Sequence, residues 1–134
     1  MVAIHDAGHS DALANALMEG GLPCAEITFR TAAAADAIRT MAKRGDILVG
    51  AGTVLTIDQV KQAVDAGATF MVAPGLNPRV VSYCRERNIP ITPGVATPTD
   101  IETALDLGLK IIFMIFRCVR FFLILNLSYI RFVH

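Results

Sequence analysis

Short apolar segments recur at even spacing along the first 110 residues, and longer stretches of mixed polarity separate them. They begin about 22 residues apart. The segments are Ala25–Phe29, Ile47–Gly50, Phe70–Ala73, Ile89–Thr92 and a fifth that begins near Lys110. Evenly spaced apolar segments with helix-length stretches between them indicate repeated βα units. We interpret Val2–Ile4 as an earlier, very short strand of the same series.

Helix start and stop signals fall in the stretches between the predicted strands. Ser10 is a candidate cap for a helix through about Glu19, and an alanine-rich stretch from Thr31 to Arg44 ends at Gly45. Later starts are predicted at Thr56 with Gln59, at Asn77-Pro78, and at Thr99 with Glu102. Alternating strands and helices predict a parallel sheet covered by helices, either a barrel or an open doubly wound sheet.

The positions of the polar and glycine residues favour the barrel. They follow each predicted strand, as in Gly50-Ala51-Gly52-Thr53, Pro74-Gly75 and Pro93-Gly94. Strand ends that all carry such residues are typical of a (β/α)₈ barrel, whereas an open sheet concentrates them at one switch point.

The first predicted strand carries candidate chemistry, because Glu26, Thr28 and Arg30 alternate along it and share one face. A carboxylate, a hydroxyl and a guanidinium on one face suggest a reaction centre. The alternative is a solvated face of an edge strand, and these three residues alone favour that alternative.

Two further motifs are only weak evidence for a binding site. Gly50-Ala51-Gly52-Thr53 has a backbone that lets a ligand approach closely, and Thr53 is able to hydrogen-bond a carboxylate or phosphate, but Leu55 stands where a dinucleotide fingerprint needs glycine. His5 and His9 have helical metal-ligand spacing, yet Gly8 lies between them and no third ligand is evident. We interpret this segment as a loop and predict no metal.

Composition narrows the class of protein. Twelve basic and twelve acidic residues give no net charge, so we expect no nucleic-acid partner. Three cysteines without C-x-x-C spacing argue against a disulfide framework and agree with a reducing compartment. With no secretory signal pattern at the N-terminus, we predict a cytoplasmic protein.

The blocks that follow the strands resemble those of one enzyme family. In order they are Gly21, Glu26-Ile27-Thr28-Phe29-Arg30, Gly50-Ala51-Gly52-Thr53-Val54-Leu55, Ala73-Pro74-Gly75-Leu76 and Pro93-Gly94-Val95-Ala96-Thr97. Their order and spacing resemble the 2-keto-3-deoxy-6-phosphogluconate / 4-hydroxy-2-oxoglutarate (KDPG/KHG) aldolase family over about residues 8–110.

This resemblance implies a (β/α)₈ Schiff-base lyase that needs no cofactor or metal and cleaves a 2-keto acid aldol into pyruvate and an aldehyde. The family is usually homotrimeric. By position, Glu26 is the proton-transfer base, Arg30 and Thr53 hold the pyruvoyl carboxylate region, and Pro74 forms a wall of the pocket. The chemistry is consistent, because a guanidinium and a hydroxyl match a keto-acid carboxylate.

The chain departs from the family at the nucleophile. Gly108 and Ile112 fit the frame of the fifth unit, but Phe113 stands at the lysine position. Lys110 lies three residues earlier, so on a strand it points to the opposite face from Phe113. The later family units are also absent, which predicts an incomplete barrel of about five to six βα units and doubtful aldolase activity. The alternative is a non-catalytic keto-acid-binding or assembly protein.

The apolar tail, residues 111–134, has three interpretations. It has the length of a membrane span, although Arg117 and Arg120 would lie in its first half, so we do not expect one. A buried strand and helix are the second interpretation. We favour the third, a divergent tail that is not family sequence and that arises from a frameshift, an unspliced intron or a gene-model error. The predicted domains are therefore 1–110 and 111–134.

Overall fold

The computed structural model describes residues 1–115 in full, together with the backbone of 120–126 and 129–132. A 3₁₀ turn, Ala7–His9, precedes the first helix. The helices are α1 (Ser10–Glu19), α2 (Ala34–Ala42), α3 (Ile57–Asp65), α4 (Pro78–Glu86) and α5 (Pro98–Asp106). The strands are β1 (Cys24–Thr28), β2 (Leu48–Gly52), β3 (Phe70–Ala73), β4 (Ile91–Val95), β5 (Ile111–Ile115), β6 (Arg120–Asn126) and β7 (Tyr129–Phe132).

Strands β1 to β5 are parallel and lie side by side in chain order. The order never reverses, whereas a doubly wound sheet reverses at its switch point. Helices α1, α2 and α3 each contact the next helix along the chain, as expected if α1 to α4 form one layer on the same face of the sheet. The arrangement is an incomplete (β/α) barrel, and the predicted fold class is confirmed.

The main core lies between the helices and one face of this sheet. Alternate residues of each strand face the helices and are buried: Ala25, Ile27, Val49, Ala51, Met71, Ala73, Ile91, Pro93, Val95 and Ile112. The helices supply Ala37, Ile38, Met41, Val60, Ala63, Val80 and Val81. The residues between them on β1, β3 and β5, among them Glu26, Val72 and Phe113, face the other side and are half-buried. That second face carries the candidate site.

Two of the predicted helix starts are confirmed by their side-chain caps. Thr56 and Gln59 form a reciprocal capping box at the start of α3. Asn77 accepts a hydrogen bond from the Arg79 backbone N–H, with Pro78 in the first turn of α4. Both caps satisfy backbone donors that the helix itself cannot pair.

The predicted capping box at Thr99 and Glu102 is wrong. The box is formed by Thr97 and Asp100, with Pro98 in the first turn of α5. Both threonines have an acidic residue three positions later, and the fixed φ of Pro98 selects the earlier one because proline suits the first helical position. Hydrogen bonds from the Ala96 backbone N–H and from Thr97 lower the pKa of the Asp100 carboxyl.

The predicted cap at Ser10 is also wrong. The Asp6 side chain accepts a hydrogen bond from the Gly8 backbone N–H, so the chain already turns in the 3₁₀ segment before α1. Ser10 is consequently the first residue of α1 rather than its cap, and its buried hydroxyl makes no hydrogen bond to any residue that the structure describes.

Several boundaries differ from the predicted ones. Val2 forms an isolated parallel bridge with Ile27 instead of a strand over Val2–Ile4. Helix α2 begins at Ala34 rather than at Thr31, whose hydroxyl donates to the Ile4 carbonyl and holds that residue outside the helix. Among the five parallel strands, Phe70–Ala73 matches its prediction at both ends, and the other strands shift by one or more residues.

Beyond β5, the described backbone forms two antiparallel strands. β6 pairs with β5, placing Phe122 beside Phe113, and β7 pairs with β6. The helix in the second interpretation of the tail is therefore wrong for 120–126 and 129–132, and Arg117 lies outside the described residues. In the part of the chain that the structure describes, no helix is long and apolar enough to span a bilayer.

Candidate active site

All four predicted site residues line one cavity on the second face of the sheet. Its volume is about 150 Å³. The lining residues are Met1, Glu26, Arg30, Thr53, Val72, Pro74, Phe113 and Ile115. They come from β1, β3, β5, the segments after β1, β2 and β3, and the N-terminal Met1, so the sheet brings together residues that are far apart in sequence.

Glu26 is positioned by the glycine beside it. On the neighbouring strand, Gly52 has no side chain, and the Glu26 carboxylate lies in the space that one would occupy. A Cβ at Gly52 would lie 2.0 Å from Glu26 Oε1 and 2.9 Å from its Cγ. Glu26 Oε1 is buried, so the glycine lets the carboxylate lie flat on the sheet.

Arg30 and Thr53 are in direct contact. Arg30 Nε donates a hydrogen bond to Thr53 Oγ1 at 3.3 Å. A guanidinium carries five N–H donors, of which this bond uses one. Arg30 is exposed and Thr53 is half-buried, so the pair lies at the mouth of the cavity.

Thr53 has a left-handed backbone, with φ of 56°. This conformation is unusual for a β-branched residue and costs about 1–2 kcal/mol. Hydrogen bonds on either side hold it, from the Phe29 N–H to the Gly52 carbonyl at 2.8 Å and from the Val54 N–H to the Val72 carbonyl at 3.1 Å. Backbone strain of this kind is concentrated at functional sites.

The rest of the cavity is apolar. Pro74 follows β3, and Phe113 and Ile115 alternate along β5 on the same face. A Cβ at Gly94 would lie 2.7 Å from Ile115 Cδ1 and 2.5 Å from the Pro74 carbonyl oxygen. The missing side chain at Gly94 therefore lets this wall close against β4.

Three sequence-based candidates lie elsewhere. Thr28 is buried, and its hydroxyl donates to the Val2 carbonyl at 3.2 Å, so it does not line the cavity. Lys110 lines a second cavity beside the start of β5. His5 lies at a bend and His9 in the 3₁₀ turn, and residues 1–115 contain no group of three or more potential ligands that could hold a metal ion.

Sequence reasoning missed the lining residues Met1, Val72 and Ile115. Strand alternation was the available signal for two of them, because Val72 precedes Pro74 by two residues and Ile115 follows Phe113 by two. The glycines at 50 and 52 predict space for a ligand, whereas the space beside Gly52 holds the Glu26 side chain.

Comparison with known proteins identifies the family of this chain. The family model for KDPG and KHG aldolase matches residues 1–119. The chain belongs to the KDPG/KHG aldolase family. The match contains the 8–110 range predicted from the sequence blocks, and that recognition is confirmed.

Individual KDPG/KHG aldolases agree with this assignment. The 2-dehydro-3-deoxy-phosphogluconate aldolase of Treponema pallidum is 52% identical over 101 residues, which are 75% of this chain and 48% of the relative. That of Haemophilus influenzae is 51% identical over 111 residues, 82% of this chain and 52% of the relative. The chain spans about half the length of the curated relatives it matches.

A solved KDPG aldolase confirms the fold. The enzyme from Legionella pneumophila, with pyruvate captured at low pH as a covalent carbinolamine intermediate, superposes with a TM-score of 0.79 at 33% identity. The superposition covers 82% of this chain and 54% of that one.

Proposed function

We propose that this chain binds the carboxylate of a 2-keto acid in the 150 Å³ cavity without forming a Schiff base. One observation carries the proposal: Glu26, Arg30, Thr53 and Pro74 line the same cavity, with Phe113 in its wall. The family acts on 2-keto acids, and in the Legionella relative pyruvate was captured covalently.

The contacts fit a small keto acid. The guanidinium of Arg30 and the hydroxyl of Thr53, 3.3 Å apart, offer charge-assisted and neutral hydrogen bonds to one carboxylate. Val72, Phe113 and Ile115 face the remainder of the ligand with apolar surface. An apolar cavity of about this volume holds benzene, a molecule about as large as pyruvate.

The absence of covalent chemistry follows from Phe113. A Schiff base needs a primary amine that adds to the keto carbon and then loses water, and an aromatic ring supplies none. None of the three lysines, Lys43, Lys61 and Lys110, is among the residues that line this cavity. Met1 does line it and carries the α-amino group, so the borohydride experiment below has to locate any adduct. Glu26 is then a proton-transfer base without a ketimine to serve.

Pyruvate titration followed by ligand-observed NMR tests the binding. Arg30→Gln removes the charge and its donors, and we expect at least a tenfold weaker affinity. Arg79→Gln, which removes an exposed cation on α4, is the matched control and should bind as the natural chain does. Equal affinity in all three proteins would contradict the carboxylate site.

Borohydride reduction in the presence of pyruvate, followed by intact mass measurement, tests the missing nucleophile. We expect no adduct on the natural chain and one reduced pyruvyl group on Phe113→Lys. Phe113→Ala opens the same space without an amine and should stay unmodified. A clean adduct that peptide mapping places on a lysine of the natural chain would overturn the assignment of Phe113 to the lysine position, and one on the Met1 α-amine would overturn non-covalent binding.

The alternative function is a fully active lyase that cleaves KDPG or KHG to pyruvate and an aldehyde. A coupled assay that follows pyruvate release separates it from non-covalent binding. We also propose that the chain forms a homotrimer and is located in the cytoplasm. The family resemblance supports both proposals. Sedimentation velocity measures the oligomeric state.

We also propose that the chain departs from the family sequence soon after Lys110, within the last nine residues of the family match (111–119), and that the tail 111–134 is divergent. The support is the change within the lysine motif and the absence of any acidic residue after Asp106. Translating the coding DNA beyond Lys110 in its other frames tests this. A lysine followed by Phe-Phe-Pro in another frame would support a frame error, and its absence would favour a natural variant.

A further inference from the structure

A second cavity, of about 390 Å³, lies beside the starts of β4 and β5. It is lined by Arg85, Asn88, Ile89, Pro90, Ile91, Thr92, Leu109, Lys110 and Ile111. Its volume falls within the range of about 300–1,000 Å³ that is usual for small-molecule sites. None of its residues belongs to the keto-acid cavity.

The polar lining consists of groups that donate hydrogen bonds, and two of them are cations. Arg85 and Lys110 contribute positive charge, and Asn88 and Thr92 contribute an amide and a hydroxyl. No carboxylate is among the described residues that line the cavity. The neighbouring Glu86 is paired with Arg87 at 3.5 Å and does not offset that charge from within the cavity.

Arg85 is held in position by the backbone. Its Nη1 donates to the Gly108 carbonyl at 2.8 Å, and a Cβ at Gly108 would lie 2.9 Å from its Nη2. The glycine thus lets the guanidinium lie against the chain, and one of five donors is used. By contrast, the Lys110 side chain forms no ion pair or hydrogen bond within the part of the chain that the structure describes.

The local charge favours an anion even though α4 and α5 both end beside this cavity. The two helix ends together carry roughly one negative elementary charge, which is smaller than the two positive charges of the side chains. Arginine and lysine together with neutral donors are the usual recognition set for phosphate. We propose that this second cavity binds the phosphate group of a small phosphorylated molecule.

Inorganic phosphate is the probe, titrated into the full chain at low ionic strength and pH 8 and followed by calorimetry. We expect saturable binding that sulfate, another tetrahedral dianion, displaces and acetate does not. Lys110→Gln should weaken phosphate binding about tenfold or more, because it removes a charged donor that has no ion pair or hydrogen bond within the part of the chain that the structure describes. Lys61→Gln, on α3, is the matched control and should leave the affinity unchanged.

Arg85→Gln should weaken phosphate binding at least as strongly. It also removes the contact with Gly108, so far-UV circular dichroism is measured first, and if this variant is misfolded Lys110→Gln alone decides. Arg30→Gln should lose pyruvate affinity and keep phosphate affinity, which separates this site from the keto-acid cavity. Absence of saturable phosphate binding, or equal affinity in Lys110→Gln, would overturn the proposal.

Discussion

The packing of Glu26 against Gly52 leads to a quantitative prediction for Gly52→Ala. The added methyl carbon would lie 2.0 Å from Glu26 Oε1, 2.8 Å from Cδ and 2.9 Å from Cγ, whereas ordinary contact begins at 3.4 Å. The carboxylate oxygen must therefore withdraw by about 1.4 Å. Because three consecutive atoms are involved, a rotation of the carboxylate alone does not relieve the clash.

We expect Gly52→Ala to lower the free energy of unfolding by about 1–3 kcal/mol, the usual cost of overpacking. Urea denaturation measures it, and that loss is a substantial share of the roughly 5–15 kcal/mol by which small domains are stable. Gly75→Ala is the matched control. Its added methyl has no atom within 4 Å, so its effect should be near zero or slightly stabilising.

A double-mutant cycle with Glu26→Ala identifies the cause. That substitution removes all three atoms that the new methyl would meet, so in its background Gly52→Ala should cost close to nothing. The expected coupling energy is about 1–3 kcal/mol, well above the few tenths seen for independent sites. An equal loss of stability in both backgrounds would refute the account, because the strain would then arise elsewhere.

Three further predictions concern stability and reactivity. The pKa of Asp100 lies below its ordinary 3.8, so its contribution to stability is complete above that pH and is lost as the pH falls through the lowered value. When unfolding is followed as the pH is lowered, the Asp100→Asn variant should not show this loss of stability. Burial raises the pKa of the Cys84 thiol to about 11, so iodoacetamide at pH 8 should label half-buried Cys24 before Cys84, as peptide mapping would show. Met41→Ala, in the core, should lower the free energy of unfolding measured in urea by about 2–5 kcal/mol. The exposed Leu55→Ala should change it by no more than about 0.5 kcal/mol, and equal losses would contradict the described core.

Much of the fold was predictable because the pattern of apolar segments is regular. Strand β3 was located to the residue, and the helix starts at Thr56 and Asn77 were confirmed by their caps. The box at Thr99 was wrong because two overlapping matches compete, and only the position of Pro98 decides between them. Local motifs of this kind fail where a neighbour two residues away satisfies the same pattern.

The candidate site was predictable as a set of residues but not as a geometry. Strand alternation placed Glu26 on the cavity face, yet it also predicted Thr28 there, and Thr28 is buried against Val2. Strand alternation predicts the face of the sheet on which a side chain lies, but not which residues pack over that side chain. The contact of Glu26 with Gly52 depends on how the side chain lies across the neighbouring strand, which no single segment of sequence contains.

The order of the strands also bears on how the chain folds. Within the described sheet, each parallel strand pairs with the strands next to it in sequence, as in Glu26 with Gly50, Met71 with Ile91 and Gly94 with Phe113. Pairings of this kind close loops of only about 20 residues, and the entropy of closure rises slowly with length. Each βα unit is thus able to dock on the one before it as the ribosome releases it, at about 5–20 residues per second. The keto-acid cavity takes residues from β1 and from β5, so it is completed only when the last of these units has docked.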